Sequence, residues 1–257
     1  MGGHPVLVTG AARGIGRAVA DLLLEQGFAI IESDIEAGPA ARIGANLAEA
    51  HDLERLAAEV RVRAGDGLGG IVHVAGLPGT HPPERILAVN LHAPVRLTGA
   101  LEDVLCPGAG IVAVASITAH RCTWPDDRLE QLIDQPDAPP AAAADLEGVA
   151  AYEVSKKALI LWTQRLAARL HARGIRANSV SPGPVETPIL ADFARSMGAD
   201  RLEVARRMVG RHATPQDIAP VVAFLLSPGA GWISGVDIKV DGGFHALRAA
   251  ASGRAVA

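Results

Sequence analysis

Tyr152 is the only tyrosine of the 257 residues, and Lys156, one of three lysines, stands four positions after it. On a helix, side chains at that spacing share a face, so an ammonium there can stabilise a neighbouring phenolate. A phenol that ordinarily ionises near pH 10 is then expected to exchange protons closer to neutrality. The bland use of the same spacing is a surface helix carrying one aromatic ring and one cation. A second constellation lies far from it in the chain. Thr9-Gly10-Ala11-Ala12-Arg13-Gly14-Ile15-Gly16 places three glycines where an apolar run gives way to a helical pattern. Glycine permits a tight turn and close backbone approach to a pyrophosphate, whose charge is favoured by the free N–H groups of a helix N-terminus. Asp34 follows Gly16 by 18 residues, at the end of the next apolar run. A carboxylate there accepts from adenosine ribose hydroxyls and repels a 2′-phosphate, which favours NAD over NADP as cofactor. Arg13 argues the other way, since a guanidinium in the glycine loop reaches a phosphate. Asp34 would also serve as an ordinary turn residue.

The elements that must hold these groups alternate along the chain. Strands are predicted at residues 6–9, 28–34, 70–75, 110–116, 175–181 and 236–240. Helices are predicted at 14–26, 53–60, 83–105, 152–173 and 215–226. Such alternation specifies an α/β fold, a parallel sheet covered by helices on both faces, as a single domain over residues 1–257. Strands buried on both faces read as nearly continuous Val, Ile and Ala, as these do. Two segments break the rhythm. Residues 119–150 carry four prolines, seven acids and the run from Ala141 to Ala144, the pattern of an insertion with short helices. Residues 187–214 are arginine-rich with apolar Ile189, Leu190, Phe193, Met197, Leu202 and Met208, which suits amphipathic helices forming a lid over a cleft.

Composition excludes several classes of function. At 49% hydrophobic and 20% charged residues the chain has material for one sizeable core. A net charge of -4 offers no basic field, so neither nucleic acid nor an anionic membrane is an expected partner. No apolar run reaches membrane-spanning length. The start, Met-Gly-Gly-His-Pro-Val, lacks a charged segment followed by an apolar stretch, and Val6 spoils a myristoylation signal. Cys106 and Cys122 form neither a metal spacing nor a redox pair, which suits a reducing cytoplasm. The nine histidines are dispersed, and no metal site is expected.

Taken in order, Thr-Gly-x-x-x-Gly-x-Gly, Asn90, Ser116 and the Tyr152/Lys156 pair resemble the short-chain dehydrogenase/reductase family over nearly the whole chain. The resemblance implies a Rossmann-type doubly wound sheet and an oxidoreductase that moves a hydride between NAD and an alcohol or carbonyl substrate. It makes Tyr152 the general base or acid, and has Ser116 fix the substrate oxygen. Lys156 would bind the nicotinamide ribose and lower the tyrosine pKa, with Asn90 holding a water relay. Cofactor contacts are implied at Gly10, Arg13, Gly14, Ile15, Gly16, Asp34, Asn46, Leu47, Ala75 and Gly76, besides Tyr152 and Lys156. Pro182-Gly183-Pro184-Val185-Glu186-Thr187 resembles the loop that cradles the nicotinamide, which adds Pro182, Gly183, Val185 and Thr187. Val240-Asp241-Gly242-Gly243 resembles a C-terminal signature of the family.

Departures narrow the subgroup. His73-Val74-Ala75-Gly76 stands where the family has Asn-Asn-Ala-Gly, and Asn46 stands where an aspartate usually meets the adenine. Ser116 and Tyr152 are 36 positions apart, more than in most members. The combination is similar to bacterial coniferyl-alcohol and 3α-hydroxysteroid dehydrogenases, and the phrases at 75–80, 158–162 and 182–190 lean to the former. Helices beside the connection from Ser116 to Tyr152 form a large subunit interface in the wider family. Extra residues there imply a homo-oligomer, a dimer ahead of the usual tetramer. Competing functions are a dinucleotide-binding regulator without turnover, which an intact Ser, Tyr and Lys disfavours, and a lyase or epimerase, which the glycine spacing and length disfavour.

Overall fold

The computed structural model describes residues 3–38, 42–135 and 146–253. Strands and helices follow one another as β1 (Val6–Thr9), α1 (Gly14–Glu25), β2 (Ile30–Asp34), β3 (Ile43–Gly44), α2 (Ala50–Ala64), β4 (Leu68–His73), α3 (Pro83–Leu87), α4 (Ala93–Leu101) and β5 (Leu105–Val114). Then come α5 (Asp126–Asp134), α6 (Gly148–Leu170), β6 (Arg176–Pro182), α7 (Leu190–Met197), α8 (Ala199–Val209), α9 (Pro215–Leu226), β7 (Asp237–Val240) and α10 (Phe244–Ala251). The sheet order is β3-β2-β1-β4-β5-β6-β7 and every pairing is parallel. From β1 the chain builds outward to β3, then returns to lay β4 on the other edge of β1. A crevice therefore opens beyond the carboxyl ends of β1 and β4, where the winding reverses.

Successive side chains of a strand point to opposite faces, so each strand feeds two cores. Leu7, Ile71 and Ile111 pack in one layer with residues of α2, α4, α5 and α6. Val6, Val8, Val72 and Val112 pack in the other with residues of α1 and α9. Burying one such side chain contributes roughly 1.5–3 kcal/mol relative to exposure. The apolar runs of the strands are thus explained by two covered faces. Among the described residues no helix is long and apolar enough to cross a membrane.

Several boundaries differ from the sequence reading for local reasons. The helix expected over 83–105 is divided. Pro94 has no N–H to offer the Asn90 carbonyl, and the chain makes a π-type turn at Ala88–His92, with the Ala93 N–H bonded to the Ala88 carbonyl, before α4 begins. After a 3-10 turn at Glu102–Val104, β5 starts at Leu105, which already pairs with Leu68 ahead of a register shift. Helix α6 starts at Gly148, inside the expected insertion. An added Cβ there would stand 2.1 Å from the Gly79 carbonyl, so the helix start presses on that loop. The insertion's α5 buries Leu129, Leu132 and Ile133 in the same layer as Trp162 and Leu166 of α6, and Arg165 bonds Asp134 at 2.9 Å. Residues 136–145, with the alanine run, lie outside the described residues. Neither β3 nor α10 was expected; Asp241 accepts from the N–H groups of Gly243 and His245, both at 2.9 Å, where α10 begins.

Candidate active site

A cleft of about 350 Å³ fills the crevice at the winding reversal. Its floor is the glycine turn, where Gly10, Arg13, Gly14, Ile15 and Gly16 all line it. Gly10 has φ +70°, and a Cβ there would stand 2.8 Å from the Ala75 nitrogen; at Gly16 it would stand 2.0 Å from the Gly10 carbonyl oxygen. The turn therefore presents backbone to the cleft. Helix α1 opens from it with no side-chain cap and no acidic residue in its first turn, so its N–H donors suit an anion. Thr9 Oγ1 accepts from the backbone of Val74 and Ala75 at 3.2 and 3.4 Å, pinning both to the opposite wall.

Asp34, Asn46 and Leu47 line the far end. Asp34 Oδ2 accepts from the Ala12 N–H at 2.9 Å, so this carboxylate also ties down the glycine loop. Arg13 lies 3.9 Å from Glu36, both exposed, and has a carboxylate beside it. Asn46 Oδ1 accepts from the Ala48 N–H at 3.2 Å and the Asn46 N–H donates to Asp52 at 2.7 Å. The side-chain carbonyl of Asn46, which stands where an aspartate usually meets the adenine, is thus already engaged, with one lone pair left. His81 and Arg85 also line the cleft; no motif had singled them out. The glycine geometry, the uncapped helix start and the carboxylate beyond fit a dinucleotide.

A second cavity of about 150 Å³ adjoins the first across Ile15, Gly76 and Thr187. Ser116, Tyr152 and Lys156 line one wall, and Pro182, Gly183 and Val185 another. Ser116 sits just beyond β5, while α6 carries Tyr152 and, one turn on, Lys156. Burial pushes the Tyr152 phenol up to about 12 and the Lys156 ammonium down to about 8. This corrects the expectation of a tyrosine lowered by its lysine. Lys156 Nζ is 5.8 Å from the ring centroid and donates to the Val114 carbonyl at 2.8 Å, so desolvation outweighs its charge. A hydrogen bond with Ser116 pulls the phenol the other way.

Asn90 lines neither cavity. Its Nδ2 donates to the Leu77 carbonyl at 3.0 Å and to Ser155 Oγ at 3.1 Å, while its Oδ1 accepts from the Leu77 N–H at 2.7 Å. Ser155 in turn donates to the Tyr152 carbonyl at 2.8 Å. Asn90 thus clamps the loop after β4 to the turn of α6 that bears Tyr152. His73, the departure from the family's asparagine, is buried against Trp162 and pairs with Thr98 at 2.8 Å; burial brings its pKa down to about 3.

The segment 187–214, expected to be a lid, folds as α7 and α8. Ile189, Leu190, Phe193, Met197 and Leu202 face the smaller cavity, and the Phe193 ring meets Tyr152 edge-on at 5.1 Å. Met208 does not line it, because it lies about 240° around α8 from Leu202. The lid's two ends are tied by backbone bonds, Glu186 N–H to the Ala213 carbonyl at 2.8 Å and Ala213 N–H to the Pro184 carbonyl at 2.9 Å. That tie left no sequence signal. Among the described residues no group of three or more His, Cys, Asp or Glu side chains is placed to hold a metal ion.

Residues 4–124 match the family described as short chain dehydrogenase, and residues 141–245 that described as enoyl-(acyl carrier protein) reductase. The chain is 29% identical to the coniferyl-alcohol dehydrogenase of Pseudomonas sp., over 93% of this chain and 95% of that one. It is 32% identical to an uncharacterized short-chain type dehydrogenase/reductase of Sinorhizobium fredii; that match takes in 95% of this chain but only 44% of the longer relative. Among solved structures, the 3-alpha-hydroxysteroid dehydrogenase from Pseudomonas sp. B-0831, complexed with NADH, is similar with a TM-score of 0.83 and 32% identity, covering 96% of this chain and 98% of that one.

Proposed function

Because the chain belongs to the short-chain dehydrogenase/reductase family, we propose that it oxidises an aryl-allylic alcohol of the coniferyl type to its aldehyde, with NAD as the cofactor. The observation that carries this reading is the cavity in which Ser116, Tyr152 and Lys156 meet beside the glycine-floored cleft. Bound NAD would supply the hydride acceptor. Tyr152 Oη takes the alcohol proton, and Ser116 Oγ donates to the same alcohol oxygen and orients it. Lys156, anchored on the Val114 carbonyl, would hold the nicotinamide ribose through its remaining N–H donors. Asn90 positions Tyr152 through Ser155. Phe193, Met197 and Leu202 exclude water and offer apolar surface to a flat ring.

The choice of NAD rests on Asp34 at the ribose end of the cleft, with exposed Ile35 next to it and Arg13 beside Glu36. A second reading, a 3α-hydroxysteroid or related alicyclic alcohol as substrate, is favoured by the likeness to the hydroxysteroid dehydrogenase. Nicotinamide absorbance with cinnamyl alcohols, hydroxysteroids and small cyclic alcohols, each with NAD and NADP, tests both choices. NAD should lead by about tenfold to several hundredfold in kcat/KM, the effect of facing two like charges. Faster hydroxysteroid turnover moves the assignment to the second reading, and cofactor binding without any turnover moves it to a regulator. The protein acts as a homodimer in this reading, because α5 packs over α6. Light scattering at several concentrations decides it; a tetramer joined through α6 would overturn the blocking role of α5. Two free thiols, Cys106 and Cys122, suit a cytoplasmic setting.

A further inference from the structure

We propose that Thr118 is a positioning residue that makes Ser116 a one-way hydrogen-bond donor toward the oxygens of Tyr152 and of the substrate. A hydroxyl has two acceptor lone pairs and one proton to give. In the turn after β5, the Thr118 backbone N–H donates to Ser116 Oγ at 3.3 Å and the Thr118 hydroxyl donates to the same oxygen at 3.0 Å. One residue thus fills both lone pairs. Only the O–H of Ser116 is left to reach into the cavity that Ser116, Thr118 and Tyr152 line together. The hydrogen bond between Ser116 and Tyr152 favours the phenolate, as a donor to the charged form must. Around the ring, Leu77, Ile86, Leu146, Phe193 and Met197 are apolar, and Lys156 brings the positive charge. Loss of the Thr118 hydroxyl opens one lone pair, so Ser116 can accept from the phenol instead and favour its neutral form.

The inference rests on the acid-base reading of Ser116 and Tyr152, and its test separates the two. Tyr152 is the sole tyrosine, so ring labelling with carbon-13 at Cζ yields one resonance to follow against pH, up to the alkaline limit of the folded protein. Thr118→Val should move its titration upward by roughly half to one pH unit. It should also lower kcat about five- to tenfold with KM little changed. Thr118→Ser should restore both. In a Ser116→Ala background Thr118→Val should add nothing, because the effect passes through Ser116. An unshifted resonance in folded Thr118→Val, or the same shift without Ser116, overturns the inference. If that variant does not fold, Thr118→Ala compared with Thr118→Ser carries the same comparison. The resonance needs no turnover: a wild type that oxidises no alcohol would sink the functional reading while a Thr118-dependent shift still supported this one.

Discussion

At the scale of single residues, two groups on one helix face are displaced toward neutrality by the same cause. Burial favours the phenol of Tyr152, pushed up to about 12, and the free amine of Lys156, brought down to about 8. Alcohol oxidation needs Tyr152 without its proton, so kcat/KM should still be rising with pH at 10, the ordinary tyrosine value. Tyr152→Phe keeps the ring against Phe193 but removes the proton acceptor. Its kcat should fall by roughly two to four orders of magnitude while NADH binding, followed by fluorescence, stays close to wild type. Near-normal turnover by that variant would end the proposed mechanism.

At the scale of elements, the short turn Ile117–Arg121 is held at both ends. Ser116 and Thr118 bond each other at its start. At its end, His120 meets Asp237 of β7 at 3.2 Å, and Ser179 and Ser181 of β6 donate to the same carboxylate at 2.7 and 2.9 Å. Asp237 is largely buried, and these donors hold its carboxyl below the usual range despite that burial. Asp237→Ala leaves buried serine hydroxyls without their acceptor, a loss of about 1–3 kcal/mol that urea unfolding can measure. It should lower kcat as well, because the turn carrying Thr118 loses its anchor. Unchanged stability would show that water replaces the carboxylate there at no loss.

At the scale of the whole molecule, His73 joins three elements, with β4 carrying it, α4 supplying Thr98 and α6 supplying Trp162. Its pKa is about 3 in the folded chain against an ordinary 6.5. The unfolded chain therefore binds a proton between those values that the folded chain refuses. Stability is full above 6.5 and falls as pH drops toward 3, by up to about 1.4 kcal/mol per unit. Thermal melts across that window should show the slope, and His73→Asn should flatten it, although the lost ring costs packing at neutral pH. An equal slope in both proteins would assign the acid sensitivity elsewhere.

The alternation of elements, the glycine turn and the order of Ser116, Tyr152 and Lys156 were legible in the sequence because each rests on local rules. A turn needs glycine where a Cβ would strike the next strand, and a strand covered on both faces favours apolar residues at successive positions. The two covered faces of Val6 to Thr9 follow from its residue types alone. Where rules compete, tertiary structure decided: Pro94 broke the helix that the pattern from 83 to 105 favoured, and α6 began early because Gly148 could meet the Gly79 carbonyl. The lid's backbone tie between Val185 and Ala213 and the Asp237 clamp join segments distant in sequence, and no spacing announces them. The same holds for the partners of Asn90 and for the direction in which Tyr152 and Lys156 are shifted. Charge type and helix spacing are properties of the sequence, whereas desolvation depends on what the completed fold lays over a side chain. In this protein, burial outweighs the attraction that the four-residue spacing would otherwise produce.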